Sequence, residues 1–430
     1  MTDTALETKI RESFDSRYVP SPGLEDRVIA AMPWQARPER RPSAPRLAGA
    51  LAAALAAAVI IVLVATTVAT RLGTKVTPGG PGEAATYSLA AVTGDFVYVV
   101  QQGNGNVFLQ SSDNGRSWVA RLRFAGVYGG TEMLGDDGFV WSLDSASQSL
   151  AVYRTSDGGM TWTAMPRTTF PVADVFFLDS SLGWADSASP QAAADGHALY
   201  ATQDGGATWS RVGPLPPASS QARAHGAGIQ SVTFSRSSNG SLRGWYVGAS
   251  QLFTTTDGGR SWHAVAFAAP AAVAGWRGIP QQPAFDDRGG VVVIRYLDPA
   301  GAADRVYLSG SSDGGATWSD PRPAPAGFAP VGDAISASIL DPQHVWLTGR
   351  YSAPGDGGQA AQSVARTSNG GVTWQVSENT PRIVQMTFLD PIRGYAVALT
   401  GASNASAIYR TTDSGATWQR VTVPTFPARS

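Results

Sequence analysis

The sequence predicts an all-β protein built from seven copies of one four-stranded antiparallel unit, preceded by a short helical segment and one membrane-spanning helix. Three observations carry this. An eight-residue pattern of hydroxyl, any residue, acid or amide, any residue, glycine, any residue, hydroxyl and tryptophan recurs at intervals of 44 to 56 residues, the period of a supersecondary unit stacked against its neighbours. Between copies, short apolar runs of even spacing alternate with turn residues, the signature of a blade. Near the N-terminus stands one uncharged run of 24 residues, long enough to cross a bilayer.

Residues 1–46 read as a cytoplasmic segment with short helices. One helical signal covers Leu6 to Phe14. The other starts with Ser21 as N-cap and Pro22 at the first helical position, carries Glu25 and Asp26 in its first turn, places Val28, Ile29 and Met32 along one side, and stops at Pro33. Residues 47–70, from Leu47 to Thr70, reach about 36 Å as a helix, against a hydrocarbon core of about 30 Å. Arg37, Arg40, Arg41 and Arg46 precede this span while only Arg71 and Lys75 follow it closely, so the positive-inside bias puts the N-terminus in the cytoplasm and the repeats outside. The run exceeds the apolar core of a signal peptide, about 7 to 15 residues, so an uncleaved anchor in the cytoplasmic membrane is expected. Residues 71–85, with Thr77-Pro78-Gly79-Gly80-Pro81-Gly82, form a tether.

The repeat region spans residues 86–425, and its motif copies centre on Asp113, Asp157, Asp204, Asp257, Asp313, Asn369 and Asp413. In the last repeat, Ile383 to Phe388, Gly394 to Leu399, Ala407 to Arg410 and Thr417 to Val421 read as four strands, with the motif on the turn between the third and fourth. A turn this tight needs glycine at positive φ and a side-chain oxygen that accepts bonds from nearby backbone N–H groups. Asn369 offers such an oxygen too. The tryptophan supplies an apolar wedge between sheets and an indole N–H that needs a partner. The seven acid or amide positions are therefore read as structural, not catalytic.

These residues match the Asp box, or BNR repeat, found in sialidases, sortilin-type receptors and the photosystem II stability/assembly factor family. The resemblance implies a seven-bladed β-propeller of four-stranded antiparallel blades with the motifs on one rim. The phrases Phe388-Leu389-Asp390 to Gly394-Tyr395 and Phe177-Leu178-Asp179 to Gly183-Trp184 most resemble the assembly-factor type, which works by binding proteins without catalysis. Upstream, Gly23 to Met32 resembles the cytoplasmic stub of bacterial membrane-bound anti-sigma proteins, and so implies a cytoplasmic partner for residues 1–46; from its residues alone it is a short amphipathic helix.

Strand polarity sorts the loops onto two faces. First-to-second and third-to-fourth turns, the latter carrying the motifs, share one; second-to-third turns and inter-blade connections share the other, here called the mouth. Extra length in the wider repeats falls on the mouth, at 187–196, 213–228, 268–283, 321–336 and 352–362. Loops on a rigid scaffold carry function disproportionately. Among their residues Trp276 with Arg277, Arg223 with His225, and Arg322 with Phe328 are the candidate partner-binding groups, being rich in the Trp and Arg enriched at binding hot spots.

Composition limits the function classes. With a net charge of −1 and lysines only at Lys9 and Lys75, the chain lacks the basic stripe of nucleic-acid binders. Zero cysteines exclude thiolate chemistry, and the four histidines lack metal-ligand spacing, so no cofactor, metal or catalytic residue is expected. The rival is a carbohydrate-binding propeller or a sialidase-like glycoside hydrolase. By analogy that enzyme needs an arginine trio, a Tyr nucleophile supported by Glu and an acidic donor. Glu132 and Glu378 are the only repeat-region glutamates, and Arg382-Ile383-Val384 is the nearest approach to that family's Arg-Ile-Pro. The expected role is a membrane-anchored extracytoplasmic scaffold or assembly-factor-like module whose partner is an extracytoplasmic protein or envelope component.

Overall fold

Seven antiparallel sheets follow one another along the chain, spanning residues 86–124, 127–164, 174–214, 232–265, 277–323, 328–378 and 382–421, and we number them as blades 1 to 7. The structure is a computed structural model. It describes residues 86–426 apart from 95, 104, 188–196, 217–231, 237–239, 249–250, 287, 302–303, 332–334, 353–359 and 401–404. The predicted cytoplasmic segment, membrane span and tether lie outside the described residues, as do Arg223 and His225. Among the described residues no helix is long and apolar enough to cross a membrane.

Within each blade the strands pair in chain order, and first strands approach one another between blades 1 and 2, 2 and 3, 3 and 4, 6 and 7, and 7 and 1. Blade 7 shows how closely periodicity anticipated this: its strands are Arg382–Phe388, Gly394–Leu399, Ser406–Thr411 and Gln419–Val421. The fourth starts later than expected because Thr417 belongs to the turn, where its N–H and hydroxyl both bond the Asp413 carboxylate.

Blades 5 and 6 depart from the expected pattern. Arg277–Pro280 and Ala284–Asp286 both pair with Gly289–Leu297, and Phe328–Ala329 and Ala337–Ile339 both pair with Val345–Tyr351. Each first strand is thus split in two, so the segments 268–283 and 321–336, expected as mouth loops, contain strand residues. Proline is the physical reason. Pro283 and Pro330 fall at the interruptions, where they supply no N–H to the ladder, and the two- to four-residue pieces around them are too short to show a period of two.

Aromatic stacking joins the blades. An aromatic residue on the second strand of one blade lies flat against a phenylalanine on the first strand of the next: Phe139 on Phe177 at 3.7 Å, Trp184 on Phe234 at 3.8 Å, Trp245 on Phe285 at 4.2 Å and Trp346 on Phe388 at 3.8 Å. The same phenylalanines meet the motif tryptophan of their own blade edge-on, as Phe177 meets Trp209 and Phe388 meets Trp418. Edge and face contacts of this kind add to area burial. They also explain the Phe–Gly pairing in the sequence phrases. Phe177 and Phe388 lie opposite Gly183 and Gly394, and a Cβ at either glycine would come within 2.6 or 2.8 Å of the ring.

The ring closes without strand exchange, since blade 1 takes all four strands from the start of the repeat region and blade 7 all four from its end. Side chains gripping backbone close it instead. Ser406 Oγ accepts from Tyr87 N–H and donates to Tyr87 O, and Gln385 does the same to Leu89 through Oε1 and Nε2. After Val421 the chain continues across blade 1 as a strap, residues 422–426. Gln101 grips both backbone groups of Phe426, and Trp118 Nε1 donates to Thr422 O.

Candidate functional site

The seven motifs form a ring on one face, and each is a closed hydrogen-bond circuit. In blade 1, Ser111 Oγ donates to Asp113 Oδ1 at 2.9 Å and accepts from Gly115 N–H at 2.8 Å. Asp113 Oδ1 accepts from Ser117 N–H at 2.8 Å, while Oδ2 accepts from Ser117 Oγ at 2.6 Å. Equivalent bonds occur at Asp157, Asp204, Asp257, Asp313 and Asp413. At Asn369, Oδ1 accepts from Thr373 N–H at 2.9 Å, and Nδ2 donates to Thr373 Oγ1 at 2.8 Å, so only the direction of one bond is reversed.

These bonds hold the carboxylates ionised. The Thr317 hydroxyl and N–H bring Asp313 down to about 2. At Asp113 burial pulls upward, but bonds from Ser117, Ser111 and Arg116 outweigh it and bring the group to about 2. Asp257 is likewise lowered, chiefly by the Ser261 hydroxyl. A carboxylate so fully engaged is a poor proton donor or base at neutral pH. The motif ring is therefore scaffold.

Side chains on the outer two strands of several blades reach the motif of the next. Arg366 Nη1 donates to Asp413 O at 2.9 Å, and Gln110 Nε2 to Gly158 O at 2.8 Å. Arg322 belongs with them. It lies on the outer strand of blade 5 and reaches Gly370 O in the motif of blade 6 at 3.2 Å, which places it toward the motif face, not the mouth. Phe328 is also displaced from its expected role: it is 4% exposed and packs in the core between blades 5 and 6 with Val306, Leu308 and Leu347.

Trp276 and Arg277 do reach the mouth. A single 3-10 turn, Ala271–Val273, and Gly275 at φ +78° turn the chain so that Trp276, half-buried, packs beside Val273 and Tyr296. Gly275 matters there because an L side chain rarely adopts that backbone. Arg277 pairs with Leu297 at the mouth end of the innermost strand, and its side chain is exposed. Arg305, on the third strand and also exposed, holds its guanidinium 5.6 Å from the Trp276 ring centroid, within cation–π range.

The neighbouring groups fix what this cluster can do. Arg295 binds Asp304 through both carboxylate oxygens at 2.9 Å from Nε, in a largely buried pair. Pairing registers put Arg305 with Tyr296 on one side of the sheet and Arg295 with Val306 on the other. Three arginines of one blade therefore do not converge on one anion. Burial, then the neighbouring Tyr307, pushes the Tyr296 phenol up, so it stays protonated. Glu132 sits on the first strand of blade 2 and Glu378 on the fourth strand of blade 6, far apart in the ring order, and Arg382 opens the first strand of blade 7. Among the described residues no group of His, Asp and Glu could hold a metal ion.

Arg305, Arg295 and Asp304 escaped the sequence reading. Their signal was the alternation Asp304-Arg305-Val306-Tyr307, which reads as an ordinary third strand and gives no hint that Arg305 lies over a tryptophan 29 residues earlier.

No protein-family model matches the chain, and no curated protein does. Solved structures do resemble it. YCF48 bound to a D1 peptide is 14% identical, with 78% of this chain and 97% of that one covered at a TM-score of 0.46. YCF48 from Cyanidioschyzon merolae is 16% identical over 80% and 98% of the two chains, with a TM-score of 0.45. The chain is a seven-bladed propeller similar to YCF48. The GH74 enzyme of Niastella koreensis, at 11% identity and a TM-score of 0.35, covers 79% of this chain and 66% of its own. At such identities the likeness concerns fold and assigns neither activity nor partner.

Proposed function

We propose that the chain is a non-catalytic protein-binding propeller, held outside the cytoplasmic membrane by residues 47–70 and acting as a scaffold or assembly factor for an extracytoplasmic protein or envelope component. The observation that carries this is the mouth end of blade 5. There an exposed arginine, Arg277, begins a strand beside a tryptophan held by a second exposed arginine, Arg305. Rigid aromatic and guanidinium groups of this kind anchor protein partners. The splitting of the blade 5 arginines across two sides of the sheet, with Arg295 engaged by Asp304, favours binding over the clamp a sialidase needs.

The test is comparative cross-linking in membranes containing the full chain or its W276A/R277A variant. Loss of specific partners with unchanged abundance and melting temperature supports the site. An identical partner set removes it, and release of a sugar from a sialoside by the unaltered chain would restore the enzyme reading.

A further inference from the structure

The connection between blades 1 and 2 seats on the blade that follows it, and the strap after blade 7 repeats that seating on blade 1. Between blades 1 and 2, Phe124 packs against Tyr128 and, with centroids 5.7 Å apart, Tyr153. Ser142, paired with Tyr128 in blade 2, donates to Ala125 O at 2.8 Å. Gln101 stands at the matching register in blade 1, paired with Tyr87, and it donates to Phe426 O at 3.0 Å and accepts from Phe426 N–H at 2.9 Å. Phe426 is 6% exposed among Tyr87, Val99, Leu109 and their neighbours, with the Arg123 guanidinium 5.7 Å from its ring centroid.

The strap is thus an inter-blade connection that is not continued into the blade it seats on. Its grip on blade 1 is made of side-chain contacts, and Pro424 contributes no N–H, so no ladder holds it. A segment bound in this way is a ligand tethered to its receptor through blade 7. We propose that the surface of blade 1 under residues 422–426 is a peptide-binding site, filled in cis by the chain's own strap and open to the same extended segment from a second copy of the chain. Recognition rests on the Phe426 ring in its pocket and on the two-way amide grip of Gln101. Exchange of straps between copies is then a route to a swapped dimer, since an identical element fits either site.

Complementary variants of the full chain test this. F426A has an intact site and a disabled strap, whereas Q101A/R123A has the reverse. Sedimentation of each alone should show monomer, and their mixture should show a one-to-one heterodimer; monomers throughout, with both variants melting cooperatively, would overturn exchange. A second measurement does not depend on the double variant. A labelled peptide of residues 422–426 should bind F426A at least tenfold more tightly than it binds the unaltered chain, where the cis strap competes, and the same peptide carrying Phe426→Ala should bind neither. Equal affinity for both chains, or no saturable binding to either, overturns the proposal.

Discussion

Gly244→Ala offers the sharpest test of the aromatic packing between blades. Gly244 faces Phe234 across the first two strands of blade 4, and a Cβ there would fall 2.4 Å from the ring. That ring cannot swing aside, because Trp184 of blade 3 stacks on it at 3.8 Å and Trp262 meets its edge. Replacing glycine by alanine gains about 0.4–1 kcal/mol through the unfolded chain, but overpacking a filled core costs about 1–3 kcal/mol. The clash wins, leaving a net loss of about 1–2 kcal/mol, or about 2–3 °C in Tm for a cooperative unit of this size. Equilibrium urea unfolding followed by tryptophan fluorescence measures it. Phe234→Leu should relieve the clash, so the double variant should be more stable than the sum of the singles predicts, by about 1 kcal/mol. Strict additivity, or an unaffected Gly244→Ala, refutes the reasoning.

Other expectations follow from the motifs and the relocated residues. The motif aspartates have folded pKa values below their unfolded value of about 3.9, so the stability they contribute is present above that value and is lost as pH falls toward about 2, the level of Asp113 and Asp313. Urea midpoints should therefore be flat from pH 7 to about 5 and decline below about 4; a decline starting near neutrality would point to other groups. Asp413→Asn should cost less than about 1 kcal/mol, since Asn369 already makes the same circuit, whereas Asp413→Ala should cost about 1–3 kcal/mol by freeing several donors. Phe328→Ala should lower stability by about 3–5 kcal/mol and leave partner binding unchanged once the protein is folded; selective loss of binding would return Phe328 to the mouth.

What was legible in the sequence tracks the reach of the physical signal. The motif turns are local circuits of eight residues, so their count, order and structural role could be read directly, Asn369 included. Blade 7 was legible because its strands are long enough to alternate. Phe328 was misplaced because its strand has two residues beside Pro330, and Arg322 because a bond from one blade's outer strand to the next blade's motif leaves no local pattern. Ring closure lay further out of reach. Its contacts join residues such as Leu89 and Gln385, or Gln101 and Phe426, 296 and 325 positions apart, through ordinary glutamines that no periodicity marks.

Closure without a shared strand has a topological consequence. Tyr87 and Val423, at opposite ends of the repeat region, already touch through the tyrosine hydroxyl at 3.4 Å. Which blade comes first is then a matter of where the backbone happens to be cut. A gene rearranged to begin at blade 4, with a short peptide joining Phe426 to Thr86, encodes the same circle of sheets, so the order of blades is a circular word with no privileged first letter.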